Sequence, residues 1–158
     1  MKDWIVADSI DISNYKEQVD SVVLNLKQIK ENISTFGENS KQYVFDNFDD
    51  ISNISENIKK LIQSHLKNFS LELLSAWTVY GEKYGKGYEI NKISNIDINL
   101  PGDLFFILRN ENDKLDCLKF KPKIGDIYFF PAHVFHGTYP QSEGNRQTLN
   151  LDFDVKDK

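Results

Sequence analysis

His136, Arg146 and Thr148 are the residues whose types and spacing could do chemistry together. They lie in Gly125 to Phe153, GDIYFFPAHVFHGTYPQSEGNRQTLNLDF. An imidazole is a metal ligand or a base near neutral pH. A guanidinium is a planar fork that grips a carboxylate. On an extended chain a Thr two residues on projects to the same side and adds a hydroxyl donor. The chain should be extended here, because Arg146 to Phe153 alternates at period two. One face carries Arg146, Thr148, Asn150 and Asp152, the other Gln147, Leu149, Leu151 and Phe153. Two readings fit: a strand with one solvated and one core face, or a barrel strand whose polar face lines a ligand cavity. The pairing of His136 with Arg146 across one turn favours the cavity, since two adjacent antiparallel strands would offer both groups to one pocket.

The elements that must position these residues can be read upstream. Gly125-Asp126 is a turn, Ile127 to Phe130 an aromatic run, and Pro131 its stop. Tyr139 to Asn145 contains Pro140, Ser142 and Gly144 and should be a loop. Ser75 to Tyr80 (SAWTVY) and Leu104 to Leu108 (LFFIL) read as strands, Asn110 to Lys114 as a hairpin tip, and Leu118 to Phe120 as the start of the next strand. Trp4 to Ala7 could form an edge strand and Gln42 to Phe48 a short strand. Apolar spacing predicts one helix from Asn14 to about Ile33, with Asp11 or Ser13 as cap, and a second from Asp50 or Ser55 to Asn68. Helices first and short strands after predict a mainly β, α+β chain. The boundaries are a single domain, 1–158, with a mostly helical part at 1–70 and a β core at 71–158.

Composition narrows the function. The chain has 158 residues, 40% hydrophobic and 13% aromatic, which suits a folded domain with a sizeable core. Its formal net charge is −5, with lysines interleaved among acids, so the clustered positive charge of a nucleic-acid footprint is missing. The one cysteine, Cys117, rules out an internal disulfide and a Cys-based zinc site. There is no apolar run of membrane length and no leader pattern. A cytoplasmic protein is expected. The glycine-spaced loop Gly81 to Gly87 lacks the Lys-Ser/Thr and the glycine spacing of a phosphate cradle.

Gly125-Asp126, Phe130-Pro131, His136, Arg146 and Thr148 together resemble the C-terminal half of the iron(II)/2-oxoglutarate-dependent oxygenases. The resemblance covers roughly Ser75 to Phe153. It implies a double-stranded β-helix, a cupin-like jelly roll, with the two helices on its outside. It also implies Fe(II) and 2-oxoglutarate as cofactors. His136 takes the place of the distal metal ligand. Arg146 and Thr148 take the place of the residues that hold the 2-oxoglutarate carboxylate, with Tyr80 as an additional hydroxyl.

The sequence departs from that family at one point. The family's facial triad joins two imidazoles and a carboxylate. Counting from Trp77 puts the proximal pair near Lys92-Ile93-Ser94, and no histidine lies between Leu66 and Ala132. Glu89, Asp97 or Asn95 could supply oxygen ligands, though one imidazole plus oxygens makes a harder site that retains iron(II) poorly. The ammonium of Lys92 could stand in for a metal's charge beside a bound anion, against the alternative of a solvated lysine. His133 pairs with His136 as His-x-x-His, but on an extended chain the two point apart unless a turn intervenes. His133 is read as a rim residue. His65, near the stripe of the second helix, is read as a core-edge histidine.

Three functions follow. The first is an oxygenase-like protein that keeps a small-carboxylate pocket around Arg146, Thr148, Tyr80 and Lys92 and has an incomplete metal triad, so that metal binding is weak or absent. The second is an active 2-oxoglutarate-dependent hydroxylase using His136 with Glu89 or Asp97. The third is a cupin-type binding or isomerase barrel. The expected partners are a small carboxylate and, as a candidate assembly, a second copy of the chain, with neither nucleic acid nor membrane.

Overall fold

The computed structural model describes residues 3–18, 20, 40–82, 104–138 and 145–158. The described chain is mainly β with helical elements, an α+β arrangement. Its strands are β1 (Val6–Ser9), β2 (Ser40–Val44), β3 (Phe69–Glu82), β4 (Leu104–Arg109), β5 (Leu115–Phe120), β6 (Asp126–Phe129), β7 (Phe135–Thr138) and β8 (Asn145–Asp157). The α-helix between β2 and β3, α1, is Ser52–His65. Two compact units are formed, one from Met1–Ile10 with Lys86–Glu143, the other from Asp11–Gly85 with Gly144–Lys158.

The first unit contains the β1-β6 pair and a three-stranded sheet in the order β5-β4-β7, all antiparallel. Phe106 on β4 is fully buried and is the centre of an aromatic cluster. Phe130 meets it edge-on at 4.8 Å and Phe120 at 5.9 Å, and the Tyr128 ring lies 6.1 Å away. Such edge-to-face and tilted pairs suit the ring quadrupoles and bury large apolar areas. Phe130 itself lies one residue beyond β6, because Pro131 follows it and ends the pairing.

The Gly125-Asp126 turn has a clear local cause. Gly125 adopts φ 92°, a region that L side chains rarely enter. Its carbonyl accepts the N–H of Ile10, 2.9 Å away, which leads β1 to its partner. Asp126 closes the turn reciprocally. Its N–H donates to the Lys123 carbonyl and its carboxylate accepts the Lys123 N–H at 2.8 Å. The β4–β5 hairpin turns on Asn110, whose side-chain oxygen accepts the N–H groups of Asn112 and Lys114. Asp113, at φ 61°, supplies the left-handed step, which Asp tolerates better than most residues.

In the second unit β3 lies between β2 and β8. Asp11 caps the first helical stretch, its carboxylate accepting the Ser13 N–H at 3.0 Å. Residues 12–15 form a 3-10 turn, residues 16–18 and 20 are α-helical, and the remainder of the helix predicted to reach Ile33 lies outside the described residues. Helix α1 contacts β3, and the side chains it buries, Ile54, Ile58 and Ile62, repeat at helical spacing. Leu71, Ala76 and Thr78 of β3 are buried as well. The hydroxyl of Thr78 donates to the Thr148 carbonyl at 2.8 Å, which removes the cost of burying it.

β3 is longer than Ser75 to Tyr80, and α1 stops at His65 instead of Asn68. Phe69-Ser70-Leu71-Glu72-Leu73 alternates, so strand propensity takes over as soon as the helical stripe runs out. The alternation then changes phase, and a β-bulge absorbs the change. Leu73 faces Phe153, Leu74 is the extra residue, and Ser75 faces Asp152. The bulge keeps Leu71 and Leu73 on the same face as Ala76 and Thr78, opposite Phe153, Leu151 and Leu149. The other face is polar: Ser75 donates to Asp152 at 2.7 Å, and Lys156 pairs with Glu72 and Asp154, each at 3.2 Å.

Candidate functional site

The residues that could do chemistry fall in both units. His136 lies on β7 in the first, while Arg146 and Thr148 lie on β8 in the second.

His136 is held by three contacts. Its Nδ1 lies 3.0 Å from the Val134 carbonyl oxygen, and since a carbonyl can only accept, the proton sits on Nδ1. The ring stacks on Phe106 at 6.0 Å and meets Phe130 edge-on at 4.6 Å. Among the described residues this arrangement leaves Nε2 uncommitted. Ligating histidines commonly donate their other N–H to a carbonyl or carboxylate in this way, which orients the ring and fixes the tautomer.

His133 takes a different role. Residues 132–133 form a turn, with the Val134 N–H bonded to the Pro131 carbonyl, so the extended geometry that would separate His133 from His136 does not apply. Nonetheless the Nε2 of His133 lies 2.7 Å from Asp3 Oδ1. The second oxygen of Asp3 accepts the Arg109 backbone N–H at 2.8 Å, and the Asp3 N–H returns to the Arg109 carbonyl at 3.0 Å. These donors hold the Asp3 carboxyl below its ordinary range, the Arg109 N–H contributing most and His133 next. His133 is exposed. Its attachment to Asp3 carries no sequence signal, because the two lie at opposite ends of the first unit's chain.

An open cleft of about 680 Å³ lies beside this pair. Its apolar lining is Ile107, Leu115, Val134 and Phe135, and its polar lining is Asp3, His133, Arg109 and Asp113. The Arg109 guanidinium meets the Asp113 carboxylate at 2.9 Å, which lowers the Asp113 carboxyl and raises Arg109. None of these residues except His133 was singled out by sequence reasoning. The charges belong to a hairpin tip and a chain end, which look like ordinary solvated positions.

On β8, Arg146 stands opposite Gly81 and Thr148 opposite Val79. The Thr148 hydroxyl accepts a hydrogen bond from Asn150 at 3.2 Å, and Asp152 is engaged by Ser75. Tyr80 stands opposite Gln147 and Lys41 in the middle strand of its sheet. Glu89, Lys92, Asn95 and Asp97 lie outside the described residues. His65 is exposed in the last turn of α1, so it is not at the edge of the core. Cys117 is a free, exposed thiol on β5.

The sequence has three histidines. His133 is engaged by Asp3, His65 ends a helix in the second unit, and His136 lies on β7 in the first. Among the described residues no group of three or more His, Cys, Asp and Glu side chains is arranged to hold a metal ion. Nor is any helix among them long and apolar enough to cross a membrane.

No family model matches the chain, and no solved structure matches it. A similar curated protein is the exodeoxyribonuclease 7 large subunit of Alkaliphilus oremlandii (strain OhILAs). It is 30% identical over 74 residues, which is 47% of this chain and 17% of that protein.

Proposed function

We propose that the chain is a small-carboxylate-binding protein of the iron(II)/2-oxoglutarate oxygenase type, built on a double-stranded β-helix and lacking a complete metal triad. The observation that carries this reading is His136. Its ring is oriented by the Val134 carbonyl, which leaves Nε2 uncommitted among the described residues. A site with one imidazole loses much of its affinity for iron(II). The fork of Arg146 and the hydroxyl of Thr148 need no metal to recognise a carboxylate. In this reading 2-oxoglutarate, or an acid like it, is a ligand and not a co-substrate. The likeness to an exodeoxyribonuclease subunit covers 17% of that protein and carries no activity to this chain.

The test is an anaerobic titration with iron(II) and 2-oxoglutarate that follows the visible charge-transfer band of the ternary complex, beside a calorimetric titration with 2-oxoglutarate alone. We expect no band, and binding of 2-oxoglutarate that is lost in Arg146→Ala. A band saturating at micromolar iron and abolished by His136→Ala would replace this reading with that of an active hydroxylase. Absence of 2-oxoglutarate binding in the wild type would end the carboxylate reading.

A further inference from the structure

From the cleft on the first unit we infer a second ligand site, for a monocarboxylic acid with an apolar chain or ring, gripped by Arg109. The inference is independent of the Arg146 site. The cleft, at about 680 Å³, falls within the range of roughly 300–1,000 Å³ typical of small-molecule pockets. Its lining combines four apolar side chains with four polar ones.

Two features define the ligand. The apolar lining includes Leu115 and Phe135, each 65% exposed, so an apolar body bound there would remove large hydrophobic side chains from water. The charged recognition group is Arg109. A guanidinium has five N–H donors, and its side-chain partner among the described residues is one oxygen of Asp113. Both oxygens of Asp3 are engaged by groups of the protein, the Arg109 backbone N–H and His133. The remaining N–H donors of Arg109 suit an anion.

Asp113 shows what the guanidinium accepts. It is an internal carboxylate, presented from a hairpin tip in a left-handed conformation, four residues along from Arg109. Its side chain is 74% exposed, and exposed pairs of this kind are weak. A free carboxylate with an apolar tail can displace it, offering the same oxygens together with hydrophobic contact that Asp113 lacks. Asp113 acts as a resident competitor in the empty protein.

The experiment is calorimetric titration of the full chain with 3-phenylpropionate, with its neutral amide, and with 2-oxoglutarate. We expect 3-phenylpropionate to bind and the amide to bind about tenfold or more weakly, the cost of losing a charge-assisted hydrogen bond. Arg109→Gln should abolish acid binding. Asp113→Asn, which removes the competitor, should tighten it several-fold, a gain that a damaged fold would not produce. Arg146→Ala should leave it unchanged while removing 2-oxoglutarate binding, so the two sites fail separately. Equal binding of acid and amide, or weaker acid binding in Asp113→Asn, would overturn the proposal, as would no binding of the acid at all.

Discussion

Asp3 and His133 stand at opposite ends of the first unit's chain, yet their side chains meet at 2.7 Å. The bond joins the segment before β1 to the turn before β7. Its companion runs from the other Asp3 oxygen to the Arg109 backbone. One carboxylate thus ties three parts of the chain together.

The tie should be visible in the acid limb of stability. The Asp3 carboxyl is lowered below 3.8, by the Arg109 N–H first and His133 second. A group depressed in the folded state contributes stability above its unfolded value. That contribution is lost as the pH falls through the folded value. Wild type should therefore lose thermal stability more steeply than Asp3→Asn below a pH of 3.8, and the two curves should converge at the acid end. Parallel curves would mean that the bond does not persist in solution.

The two histidines beside the cleft and the aromatic cluster should be opposite tautomers when neutral. His133 faces an ionised carboxylate with Nε2 and should carry its proton there, while His136 faces a carbonyl with Nδ1 and should carry it on that atom. Long-range proton–nitrogen correlation spectra at alkaline pH distinguish the two patterns directly. Identical patterns would remove the basis for treating His136 Nε2 as the available nitrogen.

Gly125→Ala should cost about 1–3 kcal/mol, because it combines a positive φ with a Cβ driven against the Ile10 carbonyl oxygen. Gly137→Ala is the control. Its Cβ would approach the Phe105 ring at 2.8 Å, and that ring can shift. Urea denaturation should rank Gly125→Ala as the more damaging change.

Deleting Leu74 removes the bulge. Leu73 would then adjoin Ser75, and the two would face Phe153 and Asp152 in unbroken alternation, so Leu71 and Leu73 keep the face of Ala76 and Thr78. The variant should therefore fold and stay within about 3 kcal/mol of wild type, and failure to fold would show that the bulge geometry itself is required. Leu74→Ala keeps the extra residue, and Leu74 is 59% exposed, so that variant should stay within about 0.5 kcal/mol of wild type by the same denaturation measurement.

The sequence by itself determined the elements whose signals are local. Alternation marked β8, and the apolar stripe of Ile54, Ile58 and Ile62 marked α1. The apolar run at Leu104 marked β4, and Gly125-Asp126 marked a turn that glycine's φ and aspartate's own hydrogen bonds explain. A histidine missing from the expected stretch is likewise plain from the chain alone. The phase of β3 across Leu74 was decided by tertiary structure, because register depends on which face a partner strand buries and Phe153 lies far along the chain. So was the Asp3–His133–Arg109 cluster. No period or motif joins a terminal aspartate to a loop histidine, and only the folded backbone brings Asp3 against Arg109, where a carboxylate can satisfy two donors at once.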